Sequence, residues 1–126
     1  MGYRPERVAH LLREILAGPV EAKASEVTNG LVTLTHVRMS PDLSVAKVYV
    51  SIYGADGDPE RVITYLNHYA KEFRRLLAPQ VRMRVIPRLQ FYLDDTLDHM
   101  ERIQRLLKQL EQERQEGKDT DEQQST

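Results

Sequence analysis

The sequence predicts a single α+β domain ordered helix-strand-strand-helix-strand, with a three-stranded mixed sheet and a further helix at the C-terminal end. Three observations carry this reading. Residues 31–39 and 45–53 are rich in Val, Thr, Ile and Tyr and are separated by a turn sequence. Residues 59–78 place apolar side chains at helical spacing, and residues 81–93 return to strict alternation. A strand reached from its neighbour through a helix pairs with it in parallel, by a right-handed connection.

The elements follow in order. Pro5 suits the first turn of a helix, where its missing N–H costs nothing. Val8, Leu11, Leu12 and Ile15 give that helix an apolar stripe, and Gly18-Pro19 is expected to break or kink it before Thr28-Asn29-Gly30 ends it. Ser40-Pro41-Asp42-Leu43 reads as a tight turn centred on Pro41-Asp42. That centring pairs Val37 with Ala46, Thr35 with Val48, Thr33 with Val50 and Leu31 with Ile52. The apolar face of the hairpin then holds Leu31, and the other presents Arg38, His36, Lys47, Tyr49, Ser51 and Tyr53, with Val32 and Leu34 at its far end. Asp58 is a good N-cap and Pro59 a good first residue for the second helix, whose stripe is Val62, Leu66, Tyr69, Ala70, Phe73, Leu76 and Leu77. Pro79 stops it. Residues 81–93 form the third strand, at an edge because Pro87 has no N–H for a ladder. Asp95 or Thr96 starts a last helix with Leu97, Met100, Ile103, Leu107 and Leu110 on one side. From Glu111 the chain has little to bury and is expected to be disordered.

Composition excludes several function classes. The chain has no Cys, so thiol catalysis, disulfides and Cys-based zinc sites are absent. The N-terminal residues do not have the pattern of a signal peptide, and Glu6 stands where a myristoylation sequence has Ser or Thr. No apolar run has the length of a membrane helix, and a cytoplasmic protein without membrane contact is expected. His68 and Glu72 share a helix face, but two ligands do not make a metal site, and no cofactor is expected. There is no nucleophile elbow and no Walker-type phosphate loop. Asp94, Asp95 and Asp98 have a structural role at a helix start, so an enzyme with a small-molecule substrate is not expected.

Charge is more informative. The 126 residues have a net charge of −1, yet residues 61–88 hold Arg61, Lys71, Arg74, Arg75, Arg82, Arg84 and Arg88 against Glu72 alone. The acidic excess is concentrated after residue 108. A basic middle points to a polyanion partner, against the plainer reading of a solvated face. Gly54-x-x-Gly57 matches the GxxG of KH domains, but it joins a strand to a helix and carries Asp56, with Asp58 next to it, so the match is rejected.

With these elements in place, the order resembles a type II KH-like domain, and several segments resemble ribosome-binding factor A, a bacterial ribosome biogenesis family. The similar residues are Arg7-Val8-Ala9 and Glu14-Ile15; Val37-x-Met39-Ser40-x-Asp42-Leu43-x-x-Ala46-Lys47-Val48-Tyr49-Val50; Arg75-x-Leu77; Met83-Arg84-Val85-Ile86-Pro87-x-Leu89-x-Phe91; and Asp94-x-Thr96-Leu97 with Arg102-Ile103. The resemblance implies a KH-like RNA-binding domain over residues 1–95, with residues 96–110 as the C-terminal helix and 111–126 as an acidic tail. It implies a monomeric, non-enzymatic factor that binds the immature small ribosomal subunit and its rRNA and assists late maturation and processing of the rRNA ends. It also implies an interhelical kink in place of the KH loop. The matching positions are Ala70, Lys71 and Glu72, where the family's Gly is a Glu; local sequence holds no helix breaker, and the kink is the expectation taken from the family. The RNA-binding candidates are Lys47, Lys71, Arg74, Arg75, Arg82, Arg84 and Arg88, with the four arginines from Arg74 to Arg84 expected as one exposed ridge. Tyr49 and Tyr53 on the outer hairpin face could stack on bases, but exposed strand tyrosines are common, and they are not counted among the candidates. The competing readings are a KH-like RNA binder acting outside the ribosome and a protein-interaction module using the last helix.

Overall fold

The computed structural model describes the backbone of residues 4–124 and the side chains of residues 4–117. Helix α1 spans Pro5–Ala24, β1 Leu31–Met39, β2 Val45–Tyr53, α2 Pro59–His68, α3 Ala70–Leu77, β3 Arg88–Leu93 and α4 Thr96–Gln124, with a short 3-10 turn at Ala78–Gln80. The sheet order is β1-β2-β3. β1 and β2 are antiparallel, and β2 and β3 are parallel. α1 lies against β1, and α2 and α3 lie against β3. Residues to Asp94 form one compact unit and the chain from Asp95 a second.

α1 runs through Pro19 without the break expected at Gly18-Pro19. Its buried residues are Val8, Leu12, Leu16, Val20 and Ala24, one every fourth position. An interior proline costs about 3 kcal/mol. Full burial of Leu16 and Val20, at about 1.5–3 kcal/mol each, offsets that loss.

The hairpin differs from its expected register. β1 and β2 are joined by five residues, Ser40 to Ser44, and Met39 faces Ala46. Asp42 organises this turn: its Oδ1 accepts from Ser40 Oγ and Ser44 Oγ at 2.7 Å each and from Ser44 N–H at 3.1 Å. Leu43 adopts the left-handed conformation, φ 62°. The Ser40 and Ser44 hydrogen bonds bring the Asp42 carboxyl down to about 2. Further along, the ladder shifts by one residue between Leu34 and His36, which leaves Thr35 as a bulge. Val32 and Leu34 before the bulge and Val37 and Met39 after it all face the core. Leu31 is instead 69% exposed.

The second helix is interrupted, but at Tyr69 rather than within Ala70-Lys71-Glu72. Tyr69 has φ −99° and ψ 12°, and its N–H bonds back to Leu66 O. Ala70, Lys71 and Glu72 are the first turn of α3. The cause is tertiary, since no Gly or Pro is present. Ahead of the break, Asn67 accepts from Phe91 N–H at 2.8 Å and donates to Phe91 O at 3.1 Å. Beyond it, Arg74 donates to Ile86 O from Nε and Nη2, at 3.1 and 2.8 Å. Each half is thus fastened to a different part of the chain around β3. The Tyr69 ring is also held from α1 by Lys23 Nζ, 3.8 Å from its centroid. Beside it, Tyr65 donates to Glu26 at 2.7 Å, and that bond lowers the Glu26 carboxyl and raises the Tyr65 hydroxyl.

β3 is shorter than the alternation suggests. It begins at Arg88, opposite Val45, where β2 itself begins, so residues 81–87 have no strand to pair with. Val81 and Pro87 are buried without a ladder, and Val85 is exposed. α4 continues past residue 110, where the sequence reading ended it, to Gln124. The Glu, Gln, Arg and Lys of that stretch are good helix formers, so a segment with nothing to bury can still be helical.

Two outcomes are expected. Asn67→Ala leaves both Phe91 backbone groups without their partner and should lower the unfolding free energy by about 2 kcal/mol in urea titration. The Asp42 carboxyl lies below its unfolded value, so its contribution is present above pH about 4 and is lost as pH falls through about 2. The stability difference between wild type and Asp42→Asn should therefore shrink over that window; a constant difference would contradict the turn geometry.

Candidate nucleic-acid interface

The seven candidate residues fall on two surfaces. Lys71, Arg75, Arg82 and Arg84 are exposed on α3 and on the segment that follows it. Arg74 is half-buried, and its fork is engaged with the Ile86 carbonyl. It therefore ties α3 to the 81–87 segment, holding the helix that carries Lys71 and Arg75 beside the stretch that carries Arg82 and Arg84. The expected ridge of four arginines becomes three exposed ones and a structural fourth.

Lys47 and Arg88 lie elsewhere, on the face of the sheet that the core does not use. Along β2, Ala46, Val48 and Val50 are buried, so Lys47 and Tyr49 point the other way. Along β3, Leu89 and Phe91 are buried, so Arg88, Gln90 and Tyr92 share that outer face. After the Thr35 bulge, β1 adds His36 and Arg38 to it. Cross-strand register aligns these into rows: His36 opposite Tyr49 opposite Tyr92, and Arg38 opposite Lys47 opposite Gln90. The rings are stacked, His36 on Tyr49 at 4.2 Å and 11° and Tyr49 on Tyr92 at 5.6 Å and 28°. Lys47 Nζ is 5.9 Å from the Tyr92 centroid. The sequence places His36, Lys47 and Tyr49 on one outer face, but the expected register set His36 opposite Lys47, and so the row of rings was missed. Tyr53 sits opposite Leu31 at the far end, outside the stack.

Other sequence features have structural roles. Gly54 and Gly57 have φ +71° and +92° in the β2–α2 loop. Asn29 grips that loop, donating to Asp56 Oδ2 and accepting from Asp56 N–H. Gly30 allows the approach: a Cβ there would meet Ala55 Cβ at 2.7 Å. Among the described residues no group of metal-ligating side chains comes together, and no helix is long and apolar enough to cross a membrane.

Comparison with known proteins identifies the lineage of this arrangement. The family model for ribosome-binding factor A matches residues 4–107. The chain belongs to the ribosome-binding factor A family. It is 44% identical to the ribosome-binding factor A of Thermomicrobium roseum over 113 residues, covering 90% of this chain and 88% of that one. Identity to the Nitrosococcus oceani protein is 37%, covering 90% of each chain. The crystal structure of ribosome-binding factor A from Thermus thermophilus is similar with a TM-score of 0.59 at 30% identity, covering 72% of this chain and 97% of that one. A homology model of the Thermus protein fitted into a cryo-electron microscopy map of its 30S complex also has a TM-score of 0.59, at 28% identity, covering 72% and 96%. The three-stranded mixed sheet with its helices is thus consistent with the KH-like fold of that family.

The basic residues are expected to separate by experiment. Arg74→Ala should destabilise the domain by about 1–3 kcal/mol in urea, because it removes a charge-assisted double hydrogen bond. Arg75→Ala and Arg84→Ala should each stay within about 0.5 kcal/mol of wild type.

Proposed function

We propose that this member of the ribosome-binding factor A family binds the immature small ribosomal subunit through its rRNA and assists late maturation and processing of the rRNA ends. It acts without catalysis, as a cytoplasmic monomer. Residues 1–95 form the RNA-binding domain. The observation that carries this reading is the family match over residues 4–107, joined to a Thermus relative fitted into a 30S complex. The geometry supports it: Lys71, Arg75, Arg82 and Arg84 present exposed cations on two chain segments held together by Arg74. Arginine suits a phosphate backbone because its planar fork makes two parallel bonds. Cations neutralising phosphates release counterions, so affinity falls steeply with salt.

Sedimentation of cell lysate on a gradient tests the reading. The protein should travel with free small subunits and not with complete ribosomes, and its depletion should accumulate precursor rRNA ends. The triple variant Arg75→Gln, Arg82→Gln, Arg84→Gln should bind small subunits more weakly and flatten the salt dependence by up to about one log–log unit per lost contact. Absence from small-subunit fractions would instead favour an RNA target outside the ribosome. A protein-interaction role has one observation behind it, the exposure of Leu97, Met100, Ile103, Leu107 and Leu110 on α4. Loss of a partner protein on deleting residues 97–126, with RNA binding intact, would establish it.

A further inference from the structure

We infer that the open face of the sheet is a second contact surface, built for single-stranded RNA, on which unpaired bases stack against the exposed ends of the His36–Tyr49–Tyr92 row. This rests on the reading of the chain as an RNA-binding factor, and it concerns residues apart from the α3 arginines.

Three observations converge on it. The rings form a continuous stack across all three strands, with His36 at one end and Tyr92, 39% exposed, at the other. A stack that ends at the surface offers its terminal ring faces to another flat π-system, and any base can occupy such a position. Cations border the rings on the same face, from Arg38 and Lys47 in the adjacent row to Arg88 one step beyond. These are placed to take the phosphates between stacked bases. At the β1 end, His36 and Arg38 also line an open cleft of about 490 Å³ between α1 and β1, to which His10 and Arg13 contribute.

The acids nearby do not oppose this. Asp94 is held below the surface, its side chain 12% exposed, with Thr35 Oγ1 at 2.6 Å and His36 Nδ1 at 3.6 Å. Both contacts fix the orientation of the row at its β1 end. From α1, Glu6 lines that cleft, and Glu14 stands 3.0 Å from His10 Nε2. The arrangement selects flexible RNA over duplex, since paired bases keep their faces to themselves. Lys47 beside the rings favours a phosphate backbone over a protein patch, because lysine is depleted at protein interfaces.

The chain offers an internal probe: it has six Tyr and no Trp, so its intrinsic emission reports the tyrosines directly. The full chain is titrated with a single-stranded oligouridine of about a dozen nucleotides and with a duplex of the same length. Single-stranded RNA should quench tyrosine emission. Tyr49→Leu with Tyr92→Leu should weaken its binding about tenfold while duplex binding is unchanged. Tyr92→Phe, which keeps the ring, should bind within about twofold of wild type. Arg38→Gln with Lys47→Gln and Arg88→Gln should flatten the salt dependence by about 0.7 log–log units per lost phosphate. Circular dichroism confirms that each variant is folded. The proposal is overturned if the folded double-leucine variant binds oligouridine as wild type does, or if wild type does not bind it. It is equally overturned if the ring variant loses only small-subunit proteins stripped of RNA, which would make the face a protein contact. Sedimentation of the wild type and of the α3 triple variant with small subunits decides the broader reading separately.

Discussion

One extra residue in β1 sets the identity of both faces of the sheet. Strand side chains alternate, so an uninterrupted β1 with Val32 and Leu34 inward would send Val37 and Met39 to solvent and His36 and Arg38 into the core. The bulge at Thr35 resets the alternation. Four apolar residues of β1 then meet Ala46, Val48 and Val50 in one layer, and His36 reaches Tyr49 on the opposite side. The Thr35 hydroxyl has the Asp94 carboxylate at 2.6 Å, so the residue that interrupts the ladder also fastens the end of β3 to β1. Core packing and the outer row of rings depend on the same irregularity.

A second constraint acts along β3. Helices α2 and α3 form one stretch of sequence with helical periodicity and no breaker. They are separate because Asn67 and Arg74 bond to backbone groups at Phe91 and Ile86. The interruption at Tyr69 therefore needs no glycine or proline. This also explains why basic residues adjacent in sequence have different roles. Arg74 faces inward to a carbonyl, and Arg75 faces solvent. A substitution series that treated them as equivalent would mix a folding effect with a binding one.

Much of this was legible in the sequence, because local signals and the global fold agreed. Element order, the parallel pairing of β2 and β3 and the start of α2 at Asp58-Pro59 followed from spacing and capping. What escaped was decided by contacts between distant residues. Pro19 remained helical because Leu16 and Val20 are held by the core. The five-residue connection at Ser40–Ser44 depended on Asp42 gathering three donors, and it moves Val37 two residues along β2, from Ala46 to Val48, without changing which side faces the core. The strand reading of residues 81–87 followed real alternation, but β2 begins too late to pair with them. The candidate cations were visible as a cluster in sequence, whereas their division between two surfaces required knowledge of strand parity.

The Asn67 bond to Phe91 has a consequence for the sheet as a whole. A three-stranded sheet has two lateral edges, and each is a template on which another chain can add a strand. At Phe91 on the β3 edge, a side-chain amide already supplies the acceptor and donor that an incoming strand would offer. On β1, Glu21 from α1 accepts the Leu34 N–H at 3.1 Å. Side chains from the helical layer thus occupy both borders, so lateral growth into fibrils or strand-swapped assemblies would require breaking bonds already made.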